Sequence, residues 1–274
     1  MISVIEAVAL GVIQGLTEFL PVSSSGHLVL MQGILEVQGH NLFLDVMLHL
    51  GTLFAVLLYF KEDVIALLKA LPKLVQVSQY RDYFREDLHF RLLCLIALGT
   101  LPTVLIGFTL KDLFESLFAS PLVVCFTLIL TGIMLFSAER IKNSTRPLSE
   151  LRLGEGFFIG LMQGLAITPG ISRSGSTISA ALWQRISPEA AARFSFLLSI
   201  PAIGGAFILE GKDVWGHIPQ EELFAISLGT LASFISGLLA LRLLMQLVVK
   251  RKLDYFAYYC WLVGIGGLLY YLQA

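Results

Sequence analysis

The chain has 274 residues, 56% of them apolar and only 14% charged, against about 45–50% and about 25% in soluble domains. Its mean hydropathy is +0.80 and its net charge −1, so no basic surface points to nucleic acid. The apolar residues come in long blocks that need lipid as their solvent, which excludes a soluble enzyme, a secreted disulfide scaffold and a disordered chain. Cys94, Cys125 and Cys260 sit alone in apolar runs without metal spacing and read as buried small hydrophobes. The first Lys or Arg is Lys61, so the opening run lacks the positive start of a signal peptide and is expected to belong to the working structure.

In chain order, the stretch Ile2–Leu35 is apolar but interrupted at Pro21-Val-Ser-Ser-Ser-Gly26. Unbroken blocks follow at Leu42–Phe60, Leu92–Leu110 and Pro121–Ala138. A second interrupted stretch, Leu153–Trp183, breaks at Pro169-Gly-Ile-Ser-Arg-Ser-Gly175, and Ala190–Leu209, Leu223–Val249 and Tyr255–Leu272 complete the chain. Each unbroken block is near the ~20 residues a bilayer core requires. A helix cannot run unperturbed through the two breaks, and broken backbone is tolerated in lipid only where protein or a wet cavity surrounds it. Both read as re-entrant helix–loop–helix elements; the competing reading is a pair of kinked full spans.

Charge orients the spans. Lys61, Lys69, Lys73, Arg81, Arg85 and Arg91 form one group, Arg140, Lys142, Arg146 and Arg152 a second, and Arg242 with Lys250, Arg251 and Lys252 a third. The intervening loops hold one each, Lys111 and Lys212, beside several acids. This bias puts segments 61–91, 139–152 and 250–253 in the cytoplasm, with Tyr255, Tyr258 and Tyr259 as an interfacial belt. Each half is then one re-entrant element plus three spans, and the odd number inverts the second half. The expected fold is an all-α polytopic membrane protein: six transmembrane helices plus two re-entrant elements in an inverted-topology repeat, one domain with halves of about 1–138 and 153–274. At an offset of 149 residues, Gln14-Gly-Leu overlies Gln163-Gly-Leu, and Ser23, Ser25 and Gly26 overlie Ser172, Ser174 and Gly175. Such repeats place their site near the midplane, where the broken elements meet.

Polar residues within a bilayer are costly and usually functional, and here they gather at the breaks. Gln14 and Glu18 are four apart and share one helix face. Ser24 and His27 are a turn apart if a helix restarts near Ser23, the relation of nucleophile and base. Arg173 is flanked by Ser172, Ser174, Ser176 and Thr177. A guanidinium fork suits phosphate oxygens, and serine hydroxyls with helix N-terminal amides add donors. Glu18 can hold a divalent cation bridged to phosphates, and His27 can carry protons. The reaction class is phosphoryl transfer to water from a membrane-embedded lipid. Blander readings stand beside these. Ser23, Ser25 and Ser174 also suit helix capping and packing; Gln14 also suits an interhelical hydrogen bond; Arg173 and Glu18 also suit a structural ion pair. Asp45 and His49 are four apart like a metal pair but read as a packing or helix-start feature. His40, His89 and His217 are placed in loops, and Glu62-Asp63 and Arg85-Glu86-Asp87 read as solvated loop charge.

Gln14-Gly-Leu-Thr-Glu18-Phe-Leu-Pro-Val-Ser-Ser-Ser-Gly-His27 and Pro169-Gly-Ile-Ser-Arg173-Ser-Gly-Ser-Thr177 resemble the two signature motifs of the bacterial undecaprenyl-diphosphate phosphatase family, of the bacitracin-resistance protein type. The later stretch Glu189-Ala-Ala-Ala-Arg193-Phe-Ser-Phe-Leu-Leu-Ser-Ile-Pro201 also fits, so the resemblance covers essentially the whole chain. It implies hydrolysis of an isoprenyl diphosphate lipid to the monophosphate in the bacterial cell membrane, recycling the lipid carrier of peptidoglycan synthesis, with bacitracin resistance on overproduction. It also implies a divalent cation, Mg²⁺ or Ca²⁺. By position, Glu18 would be metal ligand or base, Ser24 nucleophile, His27 acid/base and Arg173 phosphate clamp. Many members carry Glu where this chain has Gln14, which can ligate through its carbonyl but cannot take a proton. That shifts metal and base work onto Glu18. The attacking group (Ser24, His27 or water), the open face of the membrane, and the oligomeric state, a homodimer included, stay open.

Two alternatives compete. The type 2 phosphatidic-acid-phosphatase superfamily shares Ser25-Gly-His27 and Ser172-Arg173, but its Lys-x6-Arg-Pro block is absent, position 139 being Glu. A lipid-phosphate transporter or flippase would use the same anion site without hydrolysis, since inverted repeats with broken helices are also a transporter architecture.

Overall fold

The computed structural model describes residues 2–34, 42–214 and 222–273. Among them are thirteen α-helices, three short 3₁₀ turns and no strand. Four helices are long and apolar enough to cross a membrane: α6 (Leu88–Thr109), α8 (Pro121–Glu139), the Pro188–Leu209 portion of α11 (Pro188–Val214), and α12 (Leu223–Val249). Their outer faces carry Leu105, Phe108, Phe126, Ile133 and Leu239, all more than half exposed. Such a surface would be an aggregation hazard in water and is the ordinary lipid-facing surface of a membrane protein. This is a multi-pass membrane protein.

The other expected spans differ in form. α3 (Leu42–Tyr59) bends by 82° at Phe60 into the surface helix α4 (Lys61–Ala70). α13 (Asp254–Tyr271) opens on an aspartate and carries five tyrosines, and it is not among the four helices long and apolar enough to cross. The broken stretches are helix pairs: α1 (Val4–Phe19) with α2 (Ser24–Ile34), and α9 (Leu153–Leu165) with α10 (Arg173–Trp183). All four are shorter than a bilayer crossing.

The charged segment 61–87 is more ordered than a solvated loop. It holds α4, two 3₁₀ turns and α5 (Tyr80–Glu86). Asp63 is buried and takes two hydrogen bonds from Arg193 of α11, one of them 3.0 Å from Nε. Asp87 caps α6 by accepting from the His89 and Phe90 amides at 2.9 and 3.1 Å, and it pairs with Lys73. Charge runs usually mark solvated faces; here an elbow in α3 brings one carboxylate against the bundle. His89 likewise lies in the first turn of α6, while His40 and His217 lie outside the described residues. A further surface helix, α7 (Lys111–Phe118), links α6 to α8.

Small residues let the helices carrying the breaks approach their neighbours. A side chain at Gly11 of α1 would collide with the Gly229 carbonyl of α12, and one at Gly160 of α9 with the Gly99 carbonyl of α6. Close packing of this kind is how helices associate in lipid. Gly11 and Gly160 stand at the same 149-residue offset as the two motifs. α8 and α13 cross in matched contacts, Gly132 against Ala257 and Trp261, Gly264 against Cys125 and Ile129. The largest buried cluster, including Phe19, Phe194, Phe196, Leu92 and Leu182, joins these helices behind the breaks.

Candidate active site

Both breaks are built by one device. α1 ends at Phe19, one residue before the Leu20–Pro21 pair, and Ser23 turns the chain with φ +70°. The Ser23 hydroxyl then accepts from the Gly26 amide at 3.2 Å, starting α2 at Ser24. In the second break Gly170 takes the left-handed turn at φ +84°, and the Ser172 hydroxyl accepts from the Gly175 amide at 3.1 Å, starting α10 at Arg173. In each case the capping hydroxyl lies 3.2 Å from that of the serine two residues on, Ser25 or Ser174. Ser23, Ser25, Ser172 and Ser174 are thus engaged in shaping the tips.

The tips touch. The Ser174 hydroxyl lies 3.4 Å from the Leu20 carbonyl, and a Cβ on Gly26 would stand 3.1 Å from Gly170 Cα. α13 and α8 hold them from behind. Thr127 Oγ1 donates to the Pro169 carbonyl at 2.5 Å, and Thr131 Oγ1 donates to Gly170 and accepts from the Ser172 amide, both at 3.0 Å. On the other side, Cys260 Sγ lies 3.7 Å from the Pro21 carbonyl.

Glu18, 8% exposed, is where the two halves of the chemistry meet. Its Oε1 accepts from Arg173 Nη2 at 2.5 Å across the junction. Its Oε2 accepts from Ser24 Oγ at 2.5 Å and from Gln14 Nε2 at 3.0 Å. The spacing of Gln14 and Glu18 did put both on one face, and the two motifs do meet through their charges.

The expected Ser24–His27 pair is not formed. His27 Nδ1 lies 2.8 Å from the Ser23 carbonyl and Nε2 lies 2.7 Å from the Tyr259 hydroxyl. A carbonyl only accepts, so Nδ1 carries the hydrogen and neutral Nε2 accepts from the tyrosine. The rings stack at 5.6 Å between centroids and 8° between planes. The Glu18 carboxylate, rather than His27, is therefore the acceptor in contact with the Ser24 hydroxyl. Thr177 also turns elsewhere: its hydroxyl lies 2.5 Å from Ser195 on α11 and donates to the Arg173 carbonyl at 2.9 Å. Ser176 is fully buried, with no hydrogen-bond partner among the described residues.

Two residues were missed or discounted in the sequence. His49 Nε2 stands 3.8 Å from Glu18 Oε2, so a residue read as a packing feature belongs to this cluster. Its spacing to Asp45 was visible, but the carboxylate it faces lies on another helix. Tyr259 read only as part of an interfacial belt.

No group of three His, Cys, Asp or Glu side chains suited to a metal occurs among the described residues. A divalent cation that works on a diphosphate does not need one, since Mg²⁺ usually takes one or two carboxylates and fills its shell with water and phosphate oxygens. Gln14 is fully buried and its Oε1 has no hydrogen-bond partner among the described residues. An orphaned amide oxygen one turn from a carboxylate fits such an ion.

The bacitracin resistance protein BacA family matches residues 7–266. The chain belongs to this family. An undecaprenyl-diphosphatase of Methanobrevibacter smithii is 47% identical over 266 residues, covering 96% of this chain and 95% of that one. One from Alkaliphilus metalliredigens is 43% identical over 97% of this chain and 98% of its own. Undecaprenyl-diphosphatase 4 of Bacillus cereus is 40% identical over 98% and 97%. The BacA match includes both tips and every side chain that contacts Glu18.

Proposed function

We infer that the protein is an undecaprenyl-diphosphatase, cleaving undecaprenyl diphosphate to undecaprenyl phosphate and phosphate and so returning the carrier lipid to cell-wall synthesis. Its place in the BacA family carries bacitracin resistance with it, because that antibiotic acts on the diphosphate. The observation that carries the mechanism is Glu18 held between Arg173 and Ser24, 2.5 Å from each.

Without substrate, Arg173 and Glu18 neutralise each other. Arg173 Nη1 is buried and without a hydrogen-bond partner among the described residues, so a second donor of the fork is ready for a phosphate oxygen. When the diphosphate enters, its negative charge competes for the guanidinium and releases Glu18 Oε1. Ser24 passes its proton to the Glu18 carboxylate and its Oγ attacks the terminal phosphorus. The O–P bond to undecaprenyl phosphate breaks, and water then frees the phosphate from Ser24. Arg173 holds the charge that builds on the equatorial oxygens, the largest contribution in reactions of this kind. Glu18 and Gln14 would hold the divalent cation, which would supply positive charge to the substrate phosphates. As water frees the phosphate, neutral His27 Nε2, tied to Tyr259, takes the water's proton and Glu18 returns its own to Ser24 Oγ. Transport without hydrolysis is not favoured, since the matched relatives are named as diphosphatases.

The same proposal includes the architecture. Six spans and two re-entrant elements, α1–α2 and α9–α10, form an inverted repeat with halves of about 1–138 and 153–274. The matched caps and the matched Gly11–Gly229 and Gly160–Gly99 contacts support it.

Purified protein in detergent, given undecaprenyl diphosphate and Mg²⁺, should release inorganic phosphate. Ser24→Ala should lower kcat by about 10²-fold or more, the scale on which nucleophile and base groups matter. Substantial residual turnover would make water the attacking group, and binding without phosphate release by the wild type would defeat the hydrolase reading.

A further inference from the structure

His49 stands beside the carboxylate and the amide oxygen that fit a divalent cation. Its Nδ1 lies 2.7 Å from the Asp45 carbonyl of its own helix. The carbonyl only accepts, so Nδ1 carries the hydrogen and the Nε2 lone pair is free to bind. Donating the other ring N–H to a backbone carbonyl is how metal-binding histidines are commonly oriented. The Nε2 lies 3.8 Å from Glu18 Oε2, too long for a hydrogen bond. Two donors each about 2.1 Å from one ion stand roughly 3–4 Å apart. Gln14 adds the third donor: its Nε2 contacts the same Glu18 Oε2 at 3.0 Å, while Oε1 is the atom left without a partner among the described residues. Half a turn of the amide exchanges the two.

We propose that His49 ligates, through Nε2, a divalent cation shared with Glu18 and Gln14. The proposal rests on reading those two residues as the cation site. It makes the site one nitrogen and two oxygens on helices α1 and α3, open toward the substrate. An imidazole ligand suits Zn²⁺ and the later transition cations better than Ca²⁺, which binds oxygen donors, while Mn²⁺ accepts the same oxygen donors as Mg²⁺ and serves as its paramagnetic stand-in.

Mn²⁺ is the probe. Electron spin-echo spectroscopy of the full-length protein in detergent with Mn²⁺ should show coupling to a directly bound ¹⁴N nucleus, replaced by a ¹⁵N pattern after ¹⁵N-histidine labelling. His49→Gln should bind Mn²⁺ about tenfold more weakly, a loss on the scale of altered metal-site ligation, and should lose the nitrogen coupling. His27→Ala should keep it. His49→Asn provides a second variant should His49→Gln aggregate. Bound Mn²⁺ without nitrogen coupling, coupling that survives loss of His49, or no Mn²⁺ binding at millimolar concentration would each overturn the assignment. Phosphate release on the same wild-type preparation separates the two readings. Turnover without nitrogen coupling removes the ligand and leaves the phosphatase, and coupling without turnover does the reverse.

Discussion

The two tips share their construction and differ in how they are held. Position for position on the crossing helices, Thr127 of α8 stands where Tyr259 stands on α13, given the matched Gly132 and Gly264 contacts. Thr127 bonds the backbone of the second tip, and Thr131, one turn on, makes two more bonds there. Tyr259 instead reaches a side chain, His27, and among the described residues that helix gives the first tip's backbone only the long Cys260 contact. The turn residues differ in the same sense. The second tip gives its left-handed position to glycine, whereas the first gives it to Ser23, where a side chain makes that conformation costly. The second tip, which carries Arg173, is braced through its backbone. On the mechanism proposed above, the first would carry the groups that exchange protons and ligands.

If the second tip serves to fix Arg173, removing that side chain should have the largest effect of any change there. Arg173→Ala should cut phosphate release by about 10³-fold, as losing a transition-state donor in a closed site does. Arg173→Lys keeps the charge but loses the planar fork and should recover only a small part. Near-normal turnover of Arg173→Ala would break the comparison at its base, leaving the Glu18 contact a structural ion pair.

Much of this arrangement was legible in the sequence because it is local. Proline, glycine and serine at the breaks name the helix ends, and the four-residue step from Gln14 to Glu18 sets their common face. Block lengths named the four helices long and apolar enough to cross a membrane. What escaped depends on contacts between distant helices. The three-residue step from Ser24 to His27 implied a pair, but φ +70° at Ser23 lets its carbonyl capture His27 Nδ1, while Ser24 turns to Glu18. His49 was discounted for want of a nearby ligand, which the packing of α3 on α1 supplies. Asp63 looked solvated because no local pattern announces Arg193. Thr177 fits the motif yet serves the α10–α11 contact, a distinction that spacing alone cannot make.

A smaller effect, of a different kind, is expected behind the second tip. Thr131→Val is close in shape but removes both the donor to Gly170 and the acceptor for the Ser172 amide. Each buried backbone group left unpaired costs about 1–3 kcal/mol, so unfolding stability should drop by roughly 2 kcal/mol or more, read as a lower thermal midpoint. Turnover should fall less than in Arg173→Ala, because the guanidinium keeps its partner while its mount loosens. Unchanged stability would mean that the threonine bonds do not brace this tip.

The smallest effect should come from Tyr259→Phe, and it is the sharpest on the difference between the tips. Phenylalanine keeps the stack on His27, so the packing of α13 is preserved. Only the hydroxyl at Nε2 is lost. With neutral His27 that hydroxyl donates; with the ring protonated it accepts, so it can hold the ring in one place through both states. Stability should therefore stay within about 0.5 kcal/mol of wild type, the usual range for changes that leave packing intact. The kcat should fall several-fold with KM little changed, because an interaction used in turnover has gone while ground-state binding remains. A loss of stability matching that of Thr131→Val, with kcat intact, would make Tyr259 a brace like the threonines. The two tips would then differ only in the residues they carry and not in how they are held.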